Sequence, residues 1–473
     1  MAEIYGSAAL NDAILNSRRL MPTAIDCLSE LIAEATGRSP DHERVEHVGR
    51  FWLMQACDRV VAEVDGVSGS AVNAIAESSL GMISVRSRLL ERLGKQGASV
   101  CIVEPYLKLP PQLELIAALR ARRLMRWQST PHFKPVATAA NFGARQLMAR
   151  HSASTDGLVH RLRMCIARSA PTDLVEEHHA LSDWADQHPM TGQKLLYTAN
   201  AHQSSTSFRH VSFAQRRRGG KFLIHQHGGG YGVDQQHLGE DCDIAMSDVF
   251  YTWGWERPEL GTRVRALPSP LPPRSRGAGV AGYLLMSLPV TSHVYRLQPF
   301  IIPAHIERCV KETVTFLNEL TDTAPIKVRS SGVHVFPMER LQSCSASIGV
   351  DDLSEPGTTA AVRAALVIHN YLGTSWLETL AMNVPTVCFY DPAMYSPREA
   401  ARPYIDVLAR VGVIHHSGAQ AARFVNQLKG NPSVWWNSAE VQEAREAFVA
   451  RYANFSDNWL QAWTEEFERL LDE

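Results

Sequence analysis

Apolar residues return every third or fourth position over 23–35, 45–64 and 113–127, the spacing of a helix with one buried face. Residues 1–165 therefore read as mainly helical, with a short strand expected at 99–103. From 194 the pattern changes to short apolar runs that end in polar or glycine-rich turns. Residues 194–198 read as a strand, 200–205 as a polar loop, 207–218 as a helix and 222–227 as the next strand. That is a β-α-β unit, which builds parallel sheets with helices outside them. A further apolar and aromatic strand is expected at 248–255.

Prolines 268, 270, 272 and 273 make a semi-rigid spacer that no helix can cross. Beyond it the alternation resumes. Strands are expected at 282–288, 326–329, 365–369 and 385–390, and helices at 303–320, 376–382, 396–411 and 419–428. The tail 438–471 reads as one amphipathic helical stretch whose Phe448, Tyr452, Phe455, Trp459, Trp463 and Phe467 share a core-packing face.

The fold class this predicts is α/β and GT-B-like: two Rossmann-like domains with a helical N-terminal region and a long C-terminal helix. Residues 1–165 form the N-terminal part of the first domain and 166–265 its acceptor-side Rossmann-like portion. Residues 266–280 are the linker, 281–436 the nucleotide-sugar-binding domain and 437–473 the C-terminal helix. The same shape serves nucleotide-sugar epimerases, so architecture does not fix function.

Composition narrows the class. A chain of 473 residues exceeds one compact core. Its net charge of −2 gives no basic excess for nucleic acid. Basic clusters at 120–126 and 216–218 read as solvated helix faces, with peripheral contact to an anionic membrane as the alternative. No signal peptide is expected, and no run approaches the ~20 apolar residues that span a bilayer. The 8 cysteines lack any Cys-x-x-Cys, which fits free thiols in a reducing compartment. A cytoplasmic protein is expected, free or resting on the inner face of the cytoplasmic membrane.

Candidate chemistry concentrates at 225–232, where a strand runs into His225, His227 and then Gly228, Gly229, Gly230, Tyr231 and Gly232. Glycine lets backbone approach a ligand closely, and successive N–H groups in such a turn cradle anions. Asp234, Glu240, Asp241 and Asp243 follow. The preferred reading is acid–base or nucleophilic work by one carboxylate with a histidine partner. A metal held by His225, His227, Asp241 and Asp243 is the alternative. Asn200 and His202 end the neighbouring strand and are placed on the acceptor side. An esterase would need Gly-x-Ser-x-Gly, which the chain lacks, and no strand leads into Gly-x-Gly-x-x-Gly.

The second half offers a nucleotide site. Thr374 and Ser375 open a helix whose N-terminus favours phosphate, or they simply cap it. Glu378, one turn inside, suits ribose hydroxyls. Arg329 ends a neighbouring strand and suits a phosphate, and Asn370 precedes the helix.

His225 to Gly232, Glu240-Asp241 and the segment Ser247 to Trp255 resemble the signature of bacterial transferases of surface carbohydrate biosynthesis. Asn370 to Glu378, Trp435 to Ser438, Glu443 to Phe448 and Asn458-Trp459 agree in order, so the resemblance spans 195–463, and the N-terminal third fits it poorly. That family is distantly similar to GT-B glycosyltransferases that use CMP-activated 3-deoxy-octulosonate (Kdo). The resemblance implies a CMP-sugar donor, a glycan or lipid-linked glycan acceptor, and neither metal nor cofactor. It implies a catalytic carboxylate after the glycine turn, Asp241 first, then Glu240, then Asp234. A CDP-polyol phosphotransferase of the teichoic-acid type and a non-catalytic assembly protein are the other two classes.

Overall fold

The structure, a computed structural model, describes residues 8–64, 99–122, 124–127, 130–131, 139–151, 157–235, 237–270, 282–289, 303–330, 336–341, 344, 348–392 and 395–473. Two long helices, Ala8–Thr36 and His42–Val64, open it and pack Leu28, Leu31 and Ile32 against Val45, Val48 and Leu53. They share a hydrophobic core with one face of the first sheet.

That sheet contains β1 (Val100–Val103), β2 (Met125–Trp127), β3 (Leu195–Thr198), β4 (Lys221–His225), β5 (Val249–Thr252) and β6 (Val264–Ala266). All neighbours are parallel, in the order β2-β1-β3-β4-β5-β6. Side chains alternate across a strand. Cys101, Val103, Leu196, Phe222, Ile224 and Phe250 therefore join the core under the N-terminal helices. Val100, Ile102, Leu195, Tyr197, Leu223 and Tyr251 meet Trp459, Trp463 and Phe467 on the other face. Burial on both faces explains why these strands read as unbroken apolar runs.

The expected linker, 266–280, contains β7 (Ser269–Pro270), and residues 271–281 lie outside the described set. The second sheet contains β8 (Tyr283–Met286), β9 (Ile326–Arg329), β10 (Ile348–Val350), β11 (Leu366–His369), β12 (Thr386–Phe389) and β13 (Ile414–His415). Its order, β10-β9-β8-β11-β12-β13, is the 3-2-1-4-5-6 order of dinucleotide-binding sheets. The first sheet has the 2-1-3-4-5 order of the other common doubly wound class, with β6 added at its edge. The α/β, GT-B-like expectation of two Rossmann-like halves is the architecture found.

Several local expectations need correction. The stretch 113–127 is not one helix: it is helix Leu109–Ala121 followed by β2, because pairing with β1 overrides helical spacing. The expected loop 200–205 contains the short helix Ala201–Ser204. The helix expected from 396 begins only at Arg402, because residues 396–398 bond to the first half. The C-terminal tail is helical in two pieces, Ala439–Tyr452 and Trp459–Asp472, separated by β14 (Phe455–Ser456), which pairs with β7. The aromatic stripe thereby serves two places. Phe448 packs on Trp376 of the second half, while Trp463 packs on Tyr197 of the first. Among the described residues, no helix is long and apolar enough to cross a membrane.

Candidate functional site

Parallel strands put all their carboxyl ends on one side, and ligands bind in the crevice beyond them, where strand order reverses. In the first sheet that point lies between β1 and β3. The loops after β1, β3 and β4 begin at Glu104, Ala199 and Gln226.

The glycine turn after β4 reaches the second half directly. Gly229 N donates to Thr374 Oγ1 at 2.9 Å. A Cβ on Gly229 would sit 2.6 Å from Gly373 C and 2.8 Å from Thr374 N, so only glycine permits this approach. Gly373 is the N-cap of helix Thr374–Ala381, with no side-chain cap bond. Thr374 is therefore not a cap; its hydroxyl ties the halves together. Ser375 Oγ lies 3.3 Å from Tyr371 Oη. Gln226 holds the turn's root: its Nε2 donates to Gly228 O at 2.9 Å, and its Oε1 accepts from Trp255 Nε1 at 2.8 Å.

A buried polar chain ends at His227. His202 Nε2 lies 2.6 Å from Asp243 Oδ1, and Tyr231 Oη donates to Asp243 Oδ2 at 2.8 Å. His227 Nδ1 lies 3.4 Å from Tyr231 Oη. His202 and Asp243 are fully buried, while the His227 residue is half-exposed. Burial pushes the Asp243 carboxyl up, but His202, His227 and Tyr231 outweigh it and the net movement is downward. His202 therefore supports this chain from within the core and does not face an acceptor.

The loop after β1 carries groups that sequence reasoning missed. Glu104 (φ +43°) and Tyr106 (φ +56°) both lie in the left-handed region, flanking Pro105. Such residues cost roughly 1–3 kcal/mol and persist where surroundings over-determine them. Here Ala199 N donates to Glu104 O at 3.1 Å, and the Thr130 hydroxyl donates to Glu104 Oε1. The Asn200 amide, oriented by its hydrogen bonds, donates to Glu104 Oε2 at 3.3 Å. Glu104 stays exposed, and the Tyr106 ring meets the His227 ring edge-on at 5.6 Å. Lys108 Nζ reaches Thr358 Oγ1 of the second half at 3.2 Å. Burial raises the Glu378 carboxyl, and Lys108 opposes that rise. A carboxylate immediately after the 99–103 strand was the available signal.

The remaining expected residues fall elsewhere. His225 and His227 do not share a face, because β4 ends at His225. His225 packs on Trp463 at 5.1 Å on the tail side, and burial lowers its pKa to about 4. It is a core residue. Glu240 is fully buried with both oxygens engaged. Oε2 accepts from Gly232 N at 2.7 Å, and Oε1 accepts from Arg257 at 3.1 Å and Arg398 at 2.8 Å. It anchors the turn. Asp241 pairs with Arg18, and burial raises its carboxyl against that charge. Asp234 is 2% exposed with neither oxygen in hydrogen-bond geometry. Burial carries its pKa up to about 7, with the Tyr395 hydroxyl beside it opposing.

In the second half, Arg329 is held by Asp351 Oδ1 and Glu355 O, each at 2.6 Å, which occupies the fork expected for phosphate. Asn370 is buried, accepting from Leu288 N at 2.7 Å and donating to Thr313 Oγ1 at 3.0 Å, so it braces β8 against helix Pro303–Glu319. The structure thus gathers Glu104, Asn200, His227 and Gly228–Gly229 with Thr374 and Glu378 near one inter-half boundary. It sets His225, Arg329 and Asn370 into the scaffold. Among the described residues, no three His, Cys, Asp or Glu side chains are grouped to hold a metal.

Residues 68–467 match the description of the LIC12162 family transferases. No curated protein matches in sequence. Among solved structures, MurG of Acinetobacter baumannii is 12% identical, covering 78% of this chain and 99% of its own, at TM-score 0.43. Phytolacca americana UGT2 complexed with UDP-2fluoro-glucose and pterostilbene is 10% identical, covering 79% and 100%, at TM-score 0.39. The spinosyn rhamnosyltransferase SpnG complexed with spinosyn aglycone is 14% identical, covering 79% and 100%, at TM-score 0.35. The two-half architecture rests on the strand orders of the two sheets.

Proposed function

The chain belongs to the LIC12162 family of transferases, and from that premise we propose that it is a glycosyltransferase of bacterial surface polysaccharide biosynthesis. Its donor is a CMP-activated acidic sugar, Kdo or a relative, and its acceptor a glycan. The observation that carries this reading is the Gly229–Thr374 contact at 2.9 Å. It brings the His227 chain of one half up to a helix N-terminus of the other.

The roles follow from charge. The N-terminus of helix Thr374–Ala381 has backbone N–H groups and a partial positive end, which favour the donor phosphate. Lys108 adds a cation at the same boundary, which would stabilise charge developing on the leaving CMP. Glu378 accepts from ribose hydroxyls. The acceptor hydroxyl must lose a proton as it attacks the sugar carbon. His227 takes it, with Tyr231 and Asp243 fixing the ring and stabilising the imidazolium. Glu104, on the same loop as the Tyr106 ring that meets His227, orients the acceptor. Asp241, the first expected nucleophile, pairs with Arg18 and does not belong to this set.

The test is release of CMP from a CMP-sugar in the presence of acceptor, alongside a thermal-shift panel of CMP, CDP, UDP and GDP. CMP should raise the midpoint, by about 2.7 kcal/mol of stabilisation at a hundredfold excess over Kd. Stabilisation by UDP or GDP alone would sink the donor assignment. Turnover of CDP-glycerol would indicate the polyol-phosphate class instead.

A further inference from the structure

A cavity of about 310 Å³ opens where the loop after β5 and helix Leu238–Met246 meet residues 398–400 and helix Ala439–Tyr452. Its size is at the low end of small-molecule sites, about 300–1,000 Å³. Glu104, His227, Thr374 and Glu378 are not among its lining residues, so it is separate from the site above.

Its wall is chemically unusual. Arg18, Arg257, Arg398 and Arg451 line it together with Asp241, Glu256 and Glu259. These 4 guanidiniums and 3 carboxylates nearly cancel, and Glu240 beneath completes the balance. An inorganic anion would gain little net attraction. Hydrogen-bonding capacity is another matter. A guanidinium has five donors and a carboxylate about four acceptor sites. The Arg451–Glu256 pair, 3.2 Å apart, uses one of each in that contact. Paired charges of this kind present adjacent donors and acceptors at fixed spacing. A hydroxyl both donates and accepts, so a ring bearing neighbouring hydroxyls matches such a wall, whereas an ion or an apolar group does not.

Buried rings back this wall. Trp255 and Tyr452 also line the cavity, each only 2% exposed, so they hold its shape and leave the polar groups to face a ligand. A Cβ on Gly232 would come within 2.4 Å of the Trp255 ring, so the last glycine of the turn lets that indole seat there. Gln226 fixes the ring through Trp255 Nε1 at 2.8 Å.

We propose that this cavity is a saccharide subsite that holds a sugar unit of the acceptor away from the reacting centre. Its assignment to the acceptor rests on the glycosyltransferase reading; sugar binding itself does not. Residues from both ends of the chain line it, so a bound sugar bridges the N-terminal helix, the turn region and the C-terminal tail.

The experiment is saturation-transfer NMR and thermal shift on the full chain with methyl glucoside, methyl glucuronide and inorganic phosphate. The paired variant Arg451→Ser with Glu256→Ser removes one matched pair and leaves net charge unchanged. Its side chains are 33% and 57% exposed, so the fold should survive, which an unaltered melting midpoint without sugar would verify. Both glycosides should bind wild type, and the double variant should bind at least about tenfold more weakly. Phosphate should compete with neither. Equal glycoside binding in the variant, no glycoside binding at all, or displacement by phosphate would each overturn the proposal. Glycoside binding without CMP-sugar turnover would instead remove only the glycosyltransferase reading.

Discussion

Gly229 and Thr374 are 145 residues apart in sequence, yet the amide of one donates to the hydroxyl of the other at 2.9 Å. The backbone of the turn lies so close to Gly373 that any side chain at 229 would overlap it. Gly229→Ala should therefore separate the halves locally, costing about 1–3 kcal/mol of stability and most of the activity. Gly192→Ala is the control, since nothing lies within 4 Å of the position of its Cβ. Equal melting midpoints for the two variants would refute the argument.

Tyr231 links His227 to Asp243 through its hydroxyl. Tyr231→Phe keeps the ring against His227, His237 and Phe250 and removes the hydroxyl that makes that link. Turnover should fall by about 10- to 100-fold with little change in donor KM, and His227→Ala should fall further, toward the 10²–10⁴ range of a lost general base. A kcat in Tyr231→Phe equal to wild type would show that the chain does not tune His227.

Glu104→Gln keeps the size and the acceptor oxygen for Thr130 but removes the charge. Acceptor KM should rise severalfold while the melting midpoint holds. Tyr106→Gly should relieve the left-handed strain at φ +56°, worth about 1–2 kcal/mol, yet lower activity by removing the ring against His227. Unchanged activity in both variants would remove the β1 loop from the site.

Asp234 is held between segments of the two halves. It bridges to Pro397, and Arg398 N donates to Val233 O at 2.7 Å. Its folded pKa is raised to about 7, from about 3.9 when unfolded. A raised carboxyl binds its proton more tightly in the folded state. Its contribution is therefore full below about pH 4 and lost as pH rises through about 7. Wild type should lose part of its stability across that window, and Asp234→Asn should not. Parallel melting-midpoint profiles for the two proteins would count against this.

Much of the fold was legible because it depends on local pattern. The runs at 194–198, 222–227 and 365–369 read as strands because buried parallel strands are apolar throughout, and the helices between them keep their spacing. Helix 113–127 was misread because β2 forms only through pairing with β1. The 438–471 tail was misread because β14 forms only through pairing with β7. The site divides the same way. The Gly228–Gly232 turn and the Thr374 helix are short motifs with their chemistry in one stretch, so the sequence by itself determined both. It could not decide which neighbours fill the side chains' hydrogen-bonding capacity. Only the tertiary structure spent Arg329 on Asp351 and Asn370 on Leu288. Likewise, it buried His225 under Trp463 and placed Glu104 at the crevice. Those outcomes depend on contacts between residues tens to hundreds of positions apart, and burial and partner choice, not residue type, set what an ionisable side chain can do.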